Sequence, residues 1–79
     1  MTASELQQDI AFQIRALRRD RGLTQEALGE RCGMLQAAVA RIESAKNGNL
    51  AQVRTLLEIA NGTGARLVIR FADVVEEDE

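Results

Sequence analysis

At 79 residues, with 46% apolar side chains and no proline, the chain makes one small, mainly helical domain, near the lower size limit for a core that folds without staples. It has no histidine and a single cysteine, Cys32, which excludes histidine acid–base chemistry, histidine-containing metal sites and an intrachain disulfide. The net charge of −2 argues against nucleic acid until its distribution is seen: residues 73–79 hold five acids and no base, so residues 1–72 carry ten basic groups against seven acidic ones, or +3.

Leu6, Ile10, Ile14 and Leu17 recur at helical spacing and predict a first helix with one buried stripe. Ser4 followed by Gln7 reads as its capping box. Arg15, Arg18, Arg19 and Arg21 crowd its C-terminal end, and Gly22 stops it at about residue 21. Thr24 is placed to cap a short second helix, with Glu26 in its first turn and Gly33 as its stop. A third helix is expected from about Gln36 to Ser44. Residues 46–49 form a turn cluster, and Asn49 is suited to cap a fourth helix whose apolar face is Leu50, Val53, Leu56, Leu57 and Ala60. Asn61-Gly62-Thr63-Gly64 closes that helix. From Ala65 to Ala72 the period changes to two: Leu67, Ile69 and Phe71 lie on one face, and Arg66, Val68 and Arg70 on the other. That alternation predicts a β-strand. The acidic residues 73–79 have too little apolar content to order themselves.

The most specific pattern lies between Gln25 and Ser44. Leu28, Cys32, Met34, Val39 and Ile42 are apolar at the fourth, eighth, tenth, fifteenth and eighteenth places, with Gly29 at the fifth and Gly33 at the ninth. Two helices crossing steeply over a tight turn require each of these. A side chain at position 29 would meet the second helix of the pair, and Gly33 permits the positive φ that the turn demands. The five apolar side chains fix the pair against its neighbours. Cys32 itself reads as a small buried hydrophobe rather than a redox group. No nucleophile has a partner, and Gly62-Thr63-Gly64 stands between a helix and a strand, the wrong order for a phosphate-binding loop. The chain is not expected to be an enzyme, and no cofactor or metal is implied.

The stretch Gly22-Leu-Thr-Gln-Glu-Ala-Leu-Gly-Glu-Arg-Cys-Gly33, followed by Val39-Ala-Arg-Ile-Glu43, resembles the Cro/repressor (xenobiotic-response-element) family of helix-turn-helix regulators, over about Ile10 to Ala60. The resemblance implies a lambda-repressor-like domain of four or five helices, with the third in the DNA major groove. It implies that Gln25 bonds a phosphate and buttresses Gln36, and that Gln36 reaches a base edge, for which the N6/N7 edge of adenine is the natural match. Arg41 is suited to a guanine or a phosphate. Lys46 and the backbone amides of Asn47 and Gly48 are implied phosphate contacts. Arg18 and Glu43 match a pair that ties the first helix to the third. The chain also departs from the pattern. Leu35 stands where Ser or Thr usually caps the recognition helix, Ala37, Ala38 and Ala40 replace polar readers, and Ala45 stands where a glycine is common. Leu35 and the alanines Ala37, Ala38 and Ala40 would then touch DNA through thymine methyls, or this surface would bind protein instead.

The organisation expected is a helix-turn-helix domain over 1–64, a dimerisation strand over 65–72 and an acidic, disordered tail over 73–79. A lone strand cannot satisfy its own backbone groups, and the simplest mate is the same strand of a second copy about a two-fold axis. Leu67, Ile69 and Phe71 would pack on the helices while two reading helices met an inverted repeat of double-stranded DNA. A helix-turn-helix domain with such a strand is similar, more narrowly, to antitoxins of toxin–antitoxin modules, which repress their own operons and bind a cognate toxin. The alternative is a protein-interaction module on the same fold. Without a signal peptide or a long apolar run, the chain is expected to be cytoplasmic, with no membrane partner.

Overall fold

A computed structural model describes residues 1–46 and 50–75. Among the described residues there are four helices: α1 (Ala3–Asp20), α2 (Gln25–Cys32), α3 (Gln36–Ser44) and α4 (Val53–Thr63). Each contributes one side chain to the centre of the core, namely Ile14, Leu28, Val39 and Ile59. Ile10, Leu17, Leu23, Cys32, Met34, Ile42 and Leu56 pack around them. Ile10, Ile14 and Leu17 of the α1 stripe and the apolar places of the Gln25–Ser44 window are therefore core, as their spacing predicts, whereas Leu6 is half-buried outside that cluster. The chain's two aromatic residues take no part, since Phe12 and Phe71 are both exposed.

The helix ends follow local chemistry. Thr24 caps α2 by accepting from the Ala27 amide at 3.0 Å, and Gly33 ends it at φ +70°. A Cβ built at Gly29 would lie 2.6 Å from the Met34 carbonyl oxygen. That backbone atom has no freedom to retreat, so glycine is what lets the chain turn so sharply into α3. A second close approach has no signature in the sequence pattern. A Cβ at Gly62 would lie 2.7 Å from Cys32 Sγ and 3.1 Å from the Arg31 carbonyl oxygen, so Gly62 seats α4 against the end of α2.

Three expectations need correction. The cap of α1 is Thr2, whose hydroxyl accepts from the Glu5 amide at 3.1 Å and donates to the Glu5 carboxylate at 3.3 Å. The box therefore starts two residues before Ser4, which lies inside the helix. Helix α4 begins at Val53 with Gln52 at its cap position. Asn49 is thus too early to cap it, and its own structure lies outside the described residues. The buried face of α4 is Ile59, Ala60 and Thr63, while Leu50, Val53 and Leu57 are exposed. Leu56 and Ala60 of the expected face do meet the core.

After Gly64, at φ +72°, the chain runs on without helix or strand through residue 75. Among the described residues there is no strand and no ladder. The expected strand at 65–72 has no partner within the described chain, and its residues Val68, Ile69 and Phe71 are exposed. The segment instead borders a groove of about 710 Å³ whose other walls are α1 and the start and middle of α4. The tail beyond residue 75 and the turn at 47–49 lie outside the described residues.

Candidate nucleic-acid interface

The exposed start of α3 is positioned by a chain of side-chain hydrogen bonds that begins in the core. Glu43 sits on the face of α3 turned toward α1, where its side chain is nearly inaccessible. Arg18 meets it in a two-pronged contact, Nε donating to Oε2 at 2.7 Å and Nη2 to Oε1 at 2.9 Å. The third guanidinium nitrogen donates to the Leu23 carbonyl at 2.9 Å, so the group also holds the α1–α2 connection. Glu43 Oε1 accepts a further bond from Gln25 Nε2 at 3.3 Å. Gln25 Oε1 in turn accepts from Gln36 Nε2 at 2.8 Å.

This chain has a direction. A carboxylate can only accept, so the Gln25 amide turns its nitrogen to Glu43 and its oxygen to Gln36. Gln36 is thereby oriented with one N–H committed and its other N–H and its Oε1 left free on the exposed surface. Burial pushes the Glu43 carboxyl up. The bonds from Arg18 and Gln25, with the charges of Arg18 and Arg15, outweigh it and hold the carboxyl below the ordinary glutamate range. The Arg18 guanidinium is raised by its bond to Glu43, against an opposing effect of burial.

Gln36, Ala37 and Arg41 are exposed, and Ala40 is half-buried between them on the same side of α3. Leu35, at the cap position, is 80% exposed and makes no side-chain capping bond. Ala45 ends α3 at φ +53°, a left-handed conformation that costs a non-glycine residue about 1–2 kcal/mol. Lys46 follows it on the surface. Asn47 and Gly48, the other phosphate contacts the sequence suggests, lie outside the described residues. Leu67 is half-buried, whereas Ile69 and Phe71 of the expected dimerisation set are exposed. Arg21 is engaged elsewhere, donating to the Thr63 carbonyl at 3.0 Å and pairing with Asp20.

One residue of this region has a role that its sequence position does not suggest. Gln7 is buried, with its amide reaching Ile42 and Ala51. A signal for it exists, because Gln7, Ala11, Ile14 and Arg18 share a face of α1, and a polar residue inside a buried stripe needs partners. Beside it lies a cavity of about 260 Å³ lined by Gln7, Arg41, Ile42, Ala45, Lys46, Leu50 and Ala51. Among the described residues no cluster of acidic or cysteine side chains is arranged to hold a metal, and no helix is long and apolar enough to cross a membrane. Burial and the nearby Glu58 push the Cys32 thiol up, against a smaller opposing effect of Arg31, so the group remains a thiol at neutral pH.

Comparison with known proteins gives this geometry its context. Residues 9–75 match the family model described as a helix-turn-helix domain. A solved structure, described as an HTH_3 family transcriptional regulator from Vibrio cholerae, is similar with a TM-score of 0.75 and 31% sequence identity over 82% of this chain. The chain covers 35% of that protein's length. No curated protein matches the sequence.

Proposed function

The chain belongs to the helix-turn-helix domain family, and from that premise we propose that it is a sequence-specific DNA-binding transcription regulator, a homodimeric repressor of its own operon of the antitoxin kind. The observation that carries the reading is the orientation of Gln36. Its free N–H and Oε1 present the donor and acceptor that adenine's N7 and N6 require, at the exposed start of the helix that follows the tight turn. Arg41, five residues further along α3 and one turn beyond Ala37, bonds the phosphate backbone, as does Lys46. Gln25 supports Gln36 and bonds the backbone. Arg18 and Glu43 hold the assembly rigid without touching DNA. The similar Vibrio cholerae protein is described as a transcriptional regulator, which agrees with this role.

The dimer rests on the C-terminal segment. Exposed Val68, Ile69 and Phe71 beside an apolar groove support a partner strand from a second copy, which would supply the missing ladder and place two reading helices roughly 34 Å apart on an inverted repeat. Light scattering of the full chain gives a dimer on this reading, and removal of residues 65–79 leaves monomers. A monomeric full-length chain at micromolar concentration overturns it.

Selection of bound sequences from random DNA tests the reading face. An inverted repeat with an adenine specified by Gln36 in each half-site is expected, with affinity falling steeply as salt rises. A second reading is kept by one observation, the 80% exposed Leu35 beside three alanines, which is a surface suited to a protein partner such as a toxin. Absence of any DNA preference, together with a stable complex with the product of a neighbouring gene, decides for that alternative.

A further inference from the structure

Gln7 lies on α1, yet it bonds both sides of the connection that leads from α3 to α4. Helix α3 stops where Ala45 turns left-handed, which leaves the carbonyls of its last turn without intrahelical donors. One of them, Arg41 O, accepts from the Ser44 hydroxyl at 2.9 Å. Another, Ile42 O, accepts from Gln7 Nε2 at 3.4 Å. On the far side of the connection the Ala51 amide, just ahead of α4, donates to Gln7 Oε1 at 2.9 Å. One buried amide, 2% exposed, therefore spans residues 35 and 44 positions distant in sequence. Neither helix end needs it to be helical. What it ties together are Ile42, near the end of α3, and Ala51, ahead of α4, next to the two cations, Arg41 and Lys46, that line the cavity beside it.

We propose that Gln7 is a positioning residue for DNA binding, which sets Arg41 and Lys46 at the spacing of the phosphate backbone without touching DNA itself. This inference rests on the reading of α3 as the DNA-facing helix. It separates two contributions. Gln36 is oriented through Gln25 and Glu43, whereas the phosphate-binding groups at the other end of α3 are oriented through Gln7.

The test uses the full chain and the duplex recovered by random selection. Gln7→Met keeps the volume and removes both bonds. Gln7→Glu keeps an acceptor for the Ala51 amide, but sets an acceptor against the Ile42 carbonyl and an acidic group in a buried position. Both are compared with wild type by thermal melting, by affinity across a salt series, and by base preference. Gln7→Met is expected to weaken binding by the same factor on every sequence and to flatten the dependence of log affinity on log salt by about 0.9 for each phosphate it no longer neutralises. Its base preference stays that of wild type, and Gln7→Glu is expected to weaken binding in the same sequence-independent way. Lys46→Ala is expected to weaken wild type more than it weakens either Gln7 variant, because misplacing Lys46 and removing it abolish the same phosphate interaction. If Gln7→Met does not melt cooperatively, Gln7→Glu with and without Lys46→Ala carries the same comparison. A folded variant with the salt slope and affinity of wild type, or strict additivity with Lys46→Ala, overturns the proposal while leaving the reading face intact. A wild-type chain with no salt-dependent preference for any duplex overturns both.

Discussion

The segment from Gln25 to Ser44 and the segment from Ala65 to Val75 are equally rich in pattern, but they behave differently in the folded chain. In the first, every patterned apolar position packs inside the same chain. Leu28 and Val39 are fully buried, Gly29 faces the Met34 carbonyl, and Gln25 bridges Glu43 and Gln36. In the second, the alternation of Leu67, Ile69 and Phe71 meets almost nothing, and Phe71 is 98% exposed. Helical order is completed by neighbours a few residues away, whereas a strand is completed only by another strand. The first segment is therefore satisfied within the chain, and the second is left exposed by it.

The largest effect is expected at Glu43. Glu43→Ala leaves the Arg18 guanidinium buried without its counter-charge, which costs about 3–5 kcal/mol, readable by urea unfolding. Acid sharpens the same point. The folded-state pKa of Glu43 is depressed, so its contribution is complete above the unfolded glutamate range and is lost as pH falls through the lower folded value. In the Glu43→Gln variant this part of the acid sensitivity is absent. Leu28→Ala comes next, at about 2–5 kcal/mol, because the side chain is wholly buried at the centre of all four helices. A cost below about 1 kcal/mol at Leu28 would mean that the helix pair is not the region satisfied within the chain.

Legibility in the sequence follows the same division. The window from Gln25 to Ser44 can be read because each helix boundary there has a local cause, such as Thr24, Gly29 or Gly33. Ile59 escapes because the apolar pattern around α4 starts at Leu50, before the helix does, and takes in the exposed Val53 and Leu57 beside the packed Leu56 and Ala60. Gln7 resembles part of a cap, since its real partners, Ile42 and Ala51, are brought to it only by tertiary packing. Gly62 looks like loop punctuation, yet its role is set by Cys32 and Arg31, thirty residues away in sequence. The orientation of the Gln36 amide is beyond the sequence for the same reason, because it depends on a buried carboxylate two residues removed along a hydrogen-bond chain.

Smaller effects refine the comparison. Leu35→Ser supplies the hydroxyl that α3 lacks at its cap and is expected to raise stability by about 0.5–2 kcal/mol, measured by thermal melting. In the C-terminal segment, Phe71→Ala is expected to change the unfolding free energy of a single protomer by less than about 0.5 kcal/mol, while shifting the dimer toward monomer in light scattering. A large loss of protomer stability at Phe71 would place this residue in the core and erase the distinction between the two segments.

The central claim is that the amide of Gln36, held by Gln25, reads one base. Selection of bound sequences from random DNA with wild type and Gln36→Ala in parallel tests it most directly. Loss of an adenine preference at one position in each half-site, worth about 1–3 kcal/mol of discrimination, with every other position unchanged, is the predicted result. An identical sequence preference in the two proteins contradicts it.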